Sequence, residues 1–251
     1  MTEQTGRKGR WIPVSAWASV LMTMLVLVVM PGNAECRVAD INDFQTWSDI
    51  TTIYKFNDRW RYDGDQGGRG FASNEEWRIL YFRPSVRYVA RSWVSLHGGV
   101  GNFYTHRDSP GYQFEIRPWI GAKFMWPRPG GFVFSHYFRL EDRYSYSEFR
   151  DEWDSAFRAR YQLAFKSPKF AIAGIEKFYT GAGFELFKDL SGAIFERFAN
   201  RGRAAIAGGT HFGDAWRAEL HYLYQSSGLF IPEGIRTDDH ILRLRLFYVF
   251  N

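Results

Sequence analysis

A single cysteine, Cys36, in a chain of 251 residues excludes an intramolecular disulfide and any zinc site built on paired cysteines. Metal-ligand spacing is also missing: His97, His211, His221 and His240 are scattered, and the 24 glycines form no phosphate-binding loop. Proline is scarce, nine in all. Long apolar runs are nearly absent. The one candidate, Trp17 to Met30, is interrupted by Ser19 and Thr23 and falls short of the ~20 residues that a membrane-spanning helix needs. Arg7, Lys8 and Arg10 precede that run, and Pro31-Gly-Asn-Ala34 follows it, ending in a small residue. This is the layout of a secretory signal, predicting cleavage of residues 1–34 and a mature domain over 35–251. Glu35, where a lipoprotein signal needs a small residue, argues against lipidation of Cys36. Without the signal the chain carries 29 basic and 26 acidic residues, a balance that excludes a nucleic-acid partner.

What the chain has in quantity is aromatic residues, 19 % of the total, set in alternation. From Gly111 to Trp126, the even positions Tyr112, Phe114, Ile116, Pro118, Ile120, Ala122, Phe124 and Trp126 are apolar or amphipathic. The odd positions hold every charge: Glu115, Arg117 and Lys123. After Pro127-Arg-Pro-Gly-Gly131 the alternation resumes through Phe132, Phe134, His136, Phe138 and Leu140. A period of two marks strands with one oily face. Arms of this length exceed the roughly five or six residues of an ordinary strand and match the 9–11 of a transmembrane one.

The same pattern recurs along the chain. Candidate strands cover Trp47–Phe56, Arg59–Asp65, Trp77–Ala90, Trp93–Tyr104, the central hairpin, Phe157–Phe165, Phe170–Tyr179, Arg201–Phe212, Trp216–Gln225 and Leu242–Phe250. Short turns at Asn57, Arg91, Pro127, Lys166 and Gly213 alternate with longer polar connections at 66–76, 105–110, 144–154, 180–200 and 226–239. Bacterial outer-membrane barrels show this asymmetry, with short periplasmic turns, long external loops and even strand counts. The expectation is an all-β, up-and-down antiparallel transmembrane barrel. Eleven candidate strands leave one missing, so twelve are predicted with the extra one in 37–44, and ten are the alternative. Pro84 and Pro118, mid-arm and unable to donate to the ladder, are expected at bulges. The competing soluble β-sandwich predicts shorter strands and a charged outer face.

Four stretches carry a resemblance: Phe114-Glu-Ile-Arg-Pro-Trp119, His136-Tyr-Phe-Arg-Leu-Glu-Asp-Arg143, Phe157-Arg-Ala-Arg-Tyr161 and Leu242-Arg-Leu-Arg-Leu-Phe-Tyr-Val-Phe250. In these the chain resembles the DUF2490 family of Gram-negative outer-membrane barrels, from about Trp47 to the end. The resemblance implies the fold and the outer-membrane location and supplies no activity. It also implies that the terminal aromatics Tyr248 and Phe250 are read by the barrel-assembly machinery, although Asn251 follows them.

With the oily face turned to lipid, the lumen side collects Arg83, Arg87, Arg117, Lys123, Arg139, Arg143, Arg158, Arg160, Arg217, Arg243 and Arg245. Facing them stand Glu115, Glu141 and Glu219, with Glu176 as a further candidate. This basic excess predicts either a narrow pore favouring small anionic solutes or a lumen plugged by arginine–carboxylate pairs. In the plugged case the surplus charge calls for loop carboxylates folded inward, Glu148, Asp151 and Glu152 among them. A partner-binding scaffold working through its loops is the alternative function. A lipid-modifying enzyme would need a serine, a histidine and an orienter. Ser95 and His97 share a face, but no third member is identifiable, so no catalytic residue, metal or cofactor is expected. The expected surroundings are outer-membrane lipid and lipopolysaccharide.

Overall fold

Alternation of apolar and polar side chains over more than ten residues gives strands far longer than a soluble sheet requires. The computed structural model describes residues 41–71, 78–106, 111–172, 175–191, 201–227 and 237–250. The expected signal segment and Cys36 lie outside the described residues. Thirteen strands follow in order: β1 (Ile41–Lys55), β2 (Trp60–Phe71), β3 (Arg78–Arg83), β4 (Ser85–Arg91), β5 (Val94–His106), β6 (Gln113–Met125), β7 (Val133–Ser147), β8 (Glu152–Lys166), β9 (Phe170–Ile172), β10 (Ile175–Asp189), β11 (Arg201–Phe212), β12 (Trp216–Ser227) and β13 (Thr237–Phe250).

Neighbours in sequence pair antiparallel, and β1 pairs with β13, so the sheet closes into a barrel. β3 and β4 are two halves of one stave split at Pro84, and β9 pairs only with β10. Eleven staves therefore form the wall, correcting the twelve (or ten) expected. The even rule presumes that first and last strands run oppositely. Here they run parallel, from Ile41↔Thr237 to Tyr54↔Phe250, and an odd number closes. Residues 41–44 begin β1 itself rather than a separate strand.

Two other expectations are corrected. Neither proline forms a bulge: β2 keeps one register on both sides of Pro84, and β6 keeps one against β7 on both sides of Pro118. Each proline interrupts the ladder without inserting a residue. The stretches 66–71 and 180–189 are strand, not loop. Their glycines hide the alternation from a reader of hydropathy. At Gly67 the glycine is obligatory, because a Cβ there would lie 2.2 Å from the Ser48 carbonyl oxygen and 2.7 Å from Asp49 Cβ.

The register sets the tilt. From Asp49 the partners run through Gly67, Tyr81, Phe103, Glu115 and Ser145 to Asp154 on β8. In the other direction they run through Arg245, Glu219 and Gly209 to Tyr179. Tyr179 stands two residues before Gly181, the partner of Lys166, so this row meets β8 at Pro168. The two rows arrive 14 residues apart (168 − 154), and closing a sheet with such a stagger tilts its strands by roughly 35–45°.

The outer face is oily: Ile120 is 65 % exposed and Leu80 62 %, with Phe82, Leu96, Phe138, Ile206, Leu220 and Leu244 also exposed. Aromatic girdles rim this band, as in transmembrane barrels. Trp60–Tyr88, Phe212–Trp216 and Trp216–Tyr248 contacts lie at the short-turn end, and Tyr104–Tyr112 and Tyr146–Trp153 at the long-loop end. Local chemistry makes the short turns. Asn57 Oδ1 accepts the backbone N–H groups of Arg59 and Trp60, and Gly213 supplies a φ of +63°.

Candidate functional site

The interior is built on a repeated unit, one carboxylate shared by arginines of the same and neighbouring strands. On β6 and β7, Glu115 accepts from Arg117 Nε at 2.8 Å and from Arg143 Nε at 2.7 Å. On β7 and β8, Glu141 is 0 % exposed and accepts from Arg158 Nε at 3.0 Å, with Arg139 at 2.8 Å. Arg160 and Arg117 approach the same carboxylate at 3.8 and 3.9 Å. Arg139 and Arg160 are direct cross-strand partners, a like-charge pairing that is unfavourable by itself. A shared carboxylate makes it tolerable. Arg160 Nε also reaches Glu185 at 2.5 Å, and Glu185 holds Arg203 at 2.9 Å.

The closing seam uses the same device. Asp49 on β1 accepts from both Arg243 (2.6 Å) and Arg245 (3.0 Å) of β13. Nearby, Arg87 is held by Asp63 and Arg83 by Asp65, each through two guanidinium nitrogens. Such forked pairs are the strong form of the interaction. Glu219 gathers Arg217 (3.4 Å), His221 (2.9 Å) and the Tyr179 hydroxyl (2.7 Å). Lys123 faces the interior within electrostatic reach of Arg87, Asp63 and Arg217, which stand on β4, β2 and β12.

Thus Arg83, Arg87, Glu115, Arg117, Lys123, Arg139, Glu141, Arg143, Arg158, Arg160, Arg217, Glu219, Arg243 and Arg245 occupy the inward face, and Glu115, Arg117, Arg139, Glu141, Arg143, Arg158 and Arg160 are tied into one lattice. Tyr248 and Phe250 stand outward at the short-turn end, their rings 4.6 Å apart, with Phe250 6.4 Å from Tyr54 across the seam. The side chain of Glu176 lies outside the described residues.

Sequence reasoning missed half the answer to the charge surplus. Asp49, Asp63, Asp65, Glu185 and Asp239 also point inward. The alternation around Ile50 and Tyr62 would have placed Asp49 and Asp63; Glu185 was lost with the strand that carries it. The loop carboxylates do not fold in. Glu148, Asp151 and Glu152 are exposed and engaged with Tyr112 N–H, the Tyr146 hydroxyl and Arg150.

Aromatic faces add a second kind of support to the inward guanidinium groups. Arg69 lies 4.1 Å from the Trp47 ring and 4.9 Å from Tyr81, Arg117 4.2 Å from Phe103, and Arg139 3.9 Å from Trp119. Arg201, Arg158 and Arg160 surround Phe187 at 4.5 to 5.1 Å. Desolvated cation–π contacts of this kind are worth about 2 kcal/mol each. Arg203 of β11 also reaches Trp47 of β1 at 4.9 Å, and Arg201 feels Arg69, Arg117 and Arg158 on β2, β6 and β8. Charged side chains therefore meet across the lumen. Arg158 at 1 %, Phe187 at 2 % and Trp47 at 4 % exposure mark a filled waist.

Ser95 Oγ and His97 Nε2 do meet, at 2.9 Å, but Ser95 is buried and both oxygens of neighbouring Asp63 are taken by Arg87. Among the described residues no cluster of His, Cys, Asp and Glu has the arrangement of a metal site.

No curated protein sequence matches this chain. Among solved structures, one described as "NanC porin structure in rhombohedral crystal form" is similar, with a TM-score of 0.50 and 10 % identity. The likeness covers 82 % of this chain and 98 % of that one. At that identity it supports the barrel fold alone. The model of the DUF2490 family, described as proteins of unknown function, matches residues 44–230, and with three quarters of its length matched this barrel belongs to that family.

Proposed function

We propose that the protein is an outer-membrane barrel of a Gram-negative bacterium, exported by a cleaved signal over residues 1–34. Its narrow basic lumen favours small anionic solutes and is constricted, but not sealed, at the waist by the arginine lattice. The observation that carries this reading is the composition of the inward face, where arginine and lysine outnumber carboxylates. In the short-turn half, Lys123, Lys166 and Arg217 are within electrostatic reach of one another. Basic rings of this kind bias pores toward anions, and the likeness to a porin barrel supports a channel architecture.

The test is a planar-bilayer recording of purified, refolded protein under a salt gradient. Small unitary currents with a reversal potential on the anion side are expected, and Lys123→Glu should move that potential toward zero. Cation selectivity of the native protein would overturn the proposal.

The burial of Glu141, Arg158 and Phe187 favours a second reading, a barrel that does not conduct. Under it the native protein is silent, and so is the double variant Trp119→Gly with Arg139→Ser, which removes a ring and its stacked guanidinium from the waist. Under the channel reading that variant conducts more than the native protein.

A further inference from the structure

On the short-turn side of the waist the inner wall is built of small residues. Along β10 the inward positions change from Phe187 and Glu185 to Gly183 and Gly181 as the strand is followed back toward the short turns. Gly183 is the direct partner of Ala164 on β8, and Gly181 of Ala207 on β11. All four are half-buried, and a Cβ placed on Gly183 would meet a single atom within 4 Å, the Leu163 carbonyl oxygen at 3.4 Å. These residues leave a recess in the wall. The large side chain beside it lies flat. A Cβ on Gly209 would sit 2.3 Å from the Tyr179 ring, so that glycine lets the ring rest against the sheet instead of crossing the lumen.

Three cations converge here from three walls. Lys166 on β8 is the direct partner of Gly181. Lys123 stands on β6 and Arg217 on β12, and each of the three is within electrostatic reach of the other two. Between β6 and β12 lie β7, β8, β10 and β11 on one side of the circuit, and β5, the β3–β4 stave, β2, β1 and β13 on the other. The charges therefore meet across the barrel axis. The nearby carboxylates are already engaged: Asp63 gives both oxygens to Arg87, and Glu219 serves the Tyr179 hydroxyl, His221 and Arg217. Lys166 Nζ rests on the Tyr179 ring at 3.5 Å. Among the described residues neither Lys166 nor Lys123 has a carboxylate within ion-pair distance. Like charges gathered in a half-buried place are costly until an opposite charge joins them.

We propose that this recess binds a compact dianion, phosphate or a small phosphate monoester, held between Lys123 and Lys166 with Arg217 beside them. Ammonium groups bind phosphate as point charges, and approach from three directions suits a tetrahedral anion better than a planar carboxylate. Tyr137 and Gln162, which continue the inward row of Lys123 as direct partners, add neutral donors. The glycines let the organic part of an ester lie close against the backbone. The proposal rests on the anion-favouring reading of the lumen given above and deepens it by naming the anion and its seat.

Isothermal titration calorimetry of the refolded full barrel in detergent tests it, with inorganic phosphate, glycerol 3-phosphate and acetate as probes at one ionic strength. Both phosphates should bind about tenfold more tightly than acetate, and Lys123→Gln and Lys166→Gln should each weaken them by about tenfold, the loss expected for one charge-assisted contact. Gly183→Leu, which fills the recess, should weaken both phosphates. A larger loss for the ester identifies a monoester as the ligand, and an equal loss identifies free phosphate. Ile206→Leu on the outer face should change nothing. Equal binding of acetate and phosphate by the native protein, or phosphate affinity unchanged in either lysine variant, would overturn the proposal. Phosphate binding by a barrel that passes no current would keep this site and remove the channel. Anion current without phosphate binding would keep the channel and remove the site.

Discussion

Glu141 has four arginines within 4 Å, from its own strand and from β6 and β8, and no exposure to solvent. Removing a carboxylate from such a place does not simply subtract one attraction. It leaves buried guanidinium groups uncompensated, a change that costs about 3–5 kcal/mol. Glu141→Ala should therefore lower the urea midpoint of the barrel in lipid vesicles, followed by tryptophan fluorescence. Glu141→Gln, which keeps one acceptor and loses the charge, should fall between. A midpoint for Glu141→Ala equal to that of the native protein would show that the arginines are carried by aromatic faces and water alone.

At the scale of strands, the seam between β1 and β13 joins the two ends of the chain and so decides whether the sheet closes. Asp49 anchors it by holding Arg243 and Arg245, and Gly67 lets β2 approach behind it. Asp49→Asn should weaken closure more than it weakens any single strand. The expected result is a folded band on unheated gels that shifts to the unfolded position at a lower temperature. Phe250 acts from the other face of β13. Replacing it with Asp puts a charge in the lipid-facing girdle at the barrel's closing end, and folded protein in the membrane should fall severalfold. Unchanged heat-modifiable migration and yield would remove the closing-strand role assigned to Tyr248 and Phe250.

The described barrel has reversed polarity, oily outside and ionic within, and such a surface calls for the apolar surroundings of a membrane. The expectation is that the protein fractionates with the outer membrane and that N-terminal sequencing of the mature form begins at Glu35. An intact Met1, or recovery in the soluble periplasm, would contradict both. The filled waist also predicts that any conductance is far smaller than that of an open barrel of the same strand number.

Much of this was legible in the chain as text, because a period of two assigns every residue of a strand to one face or the other. Ile120 and Phe138 went outward and Arg117 and Glu141 inward on that rule alone, and barrel architecture followed from the length of the alternating arms. The rule needs contrast between neighbours, and glycine-rich stretches offer none: Gly67, Gly68 and Gly70 on β2, or Gly181 and Gly183 on β10, carry no hydropathy to alternate. So the ends of β2 and β10, and Glu185 with them, emerged only from the fold. Strand parity was beyond reach for a different reason. Whether β1 meets β13 parallel or antiparallel depends on the register and stagger around the full circuit, a property that no single strand encodes. The fate of the excess charge was likewise a tertiary matter. Which carboxylate serves Arg160, and whether Arg203 rests on Trp47, is settled by distances across the lumen between residues far apart in the chain. Periodicity determined the sign of each face; closure of the sheet decided which charges met.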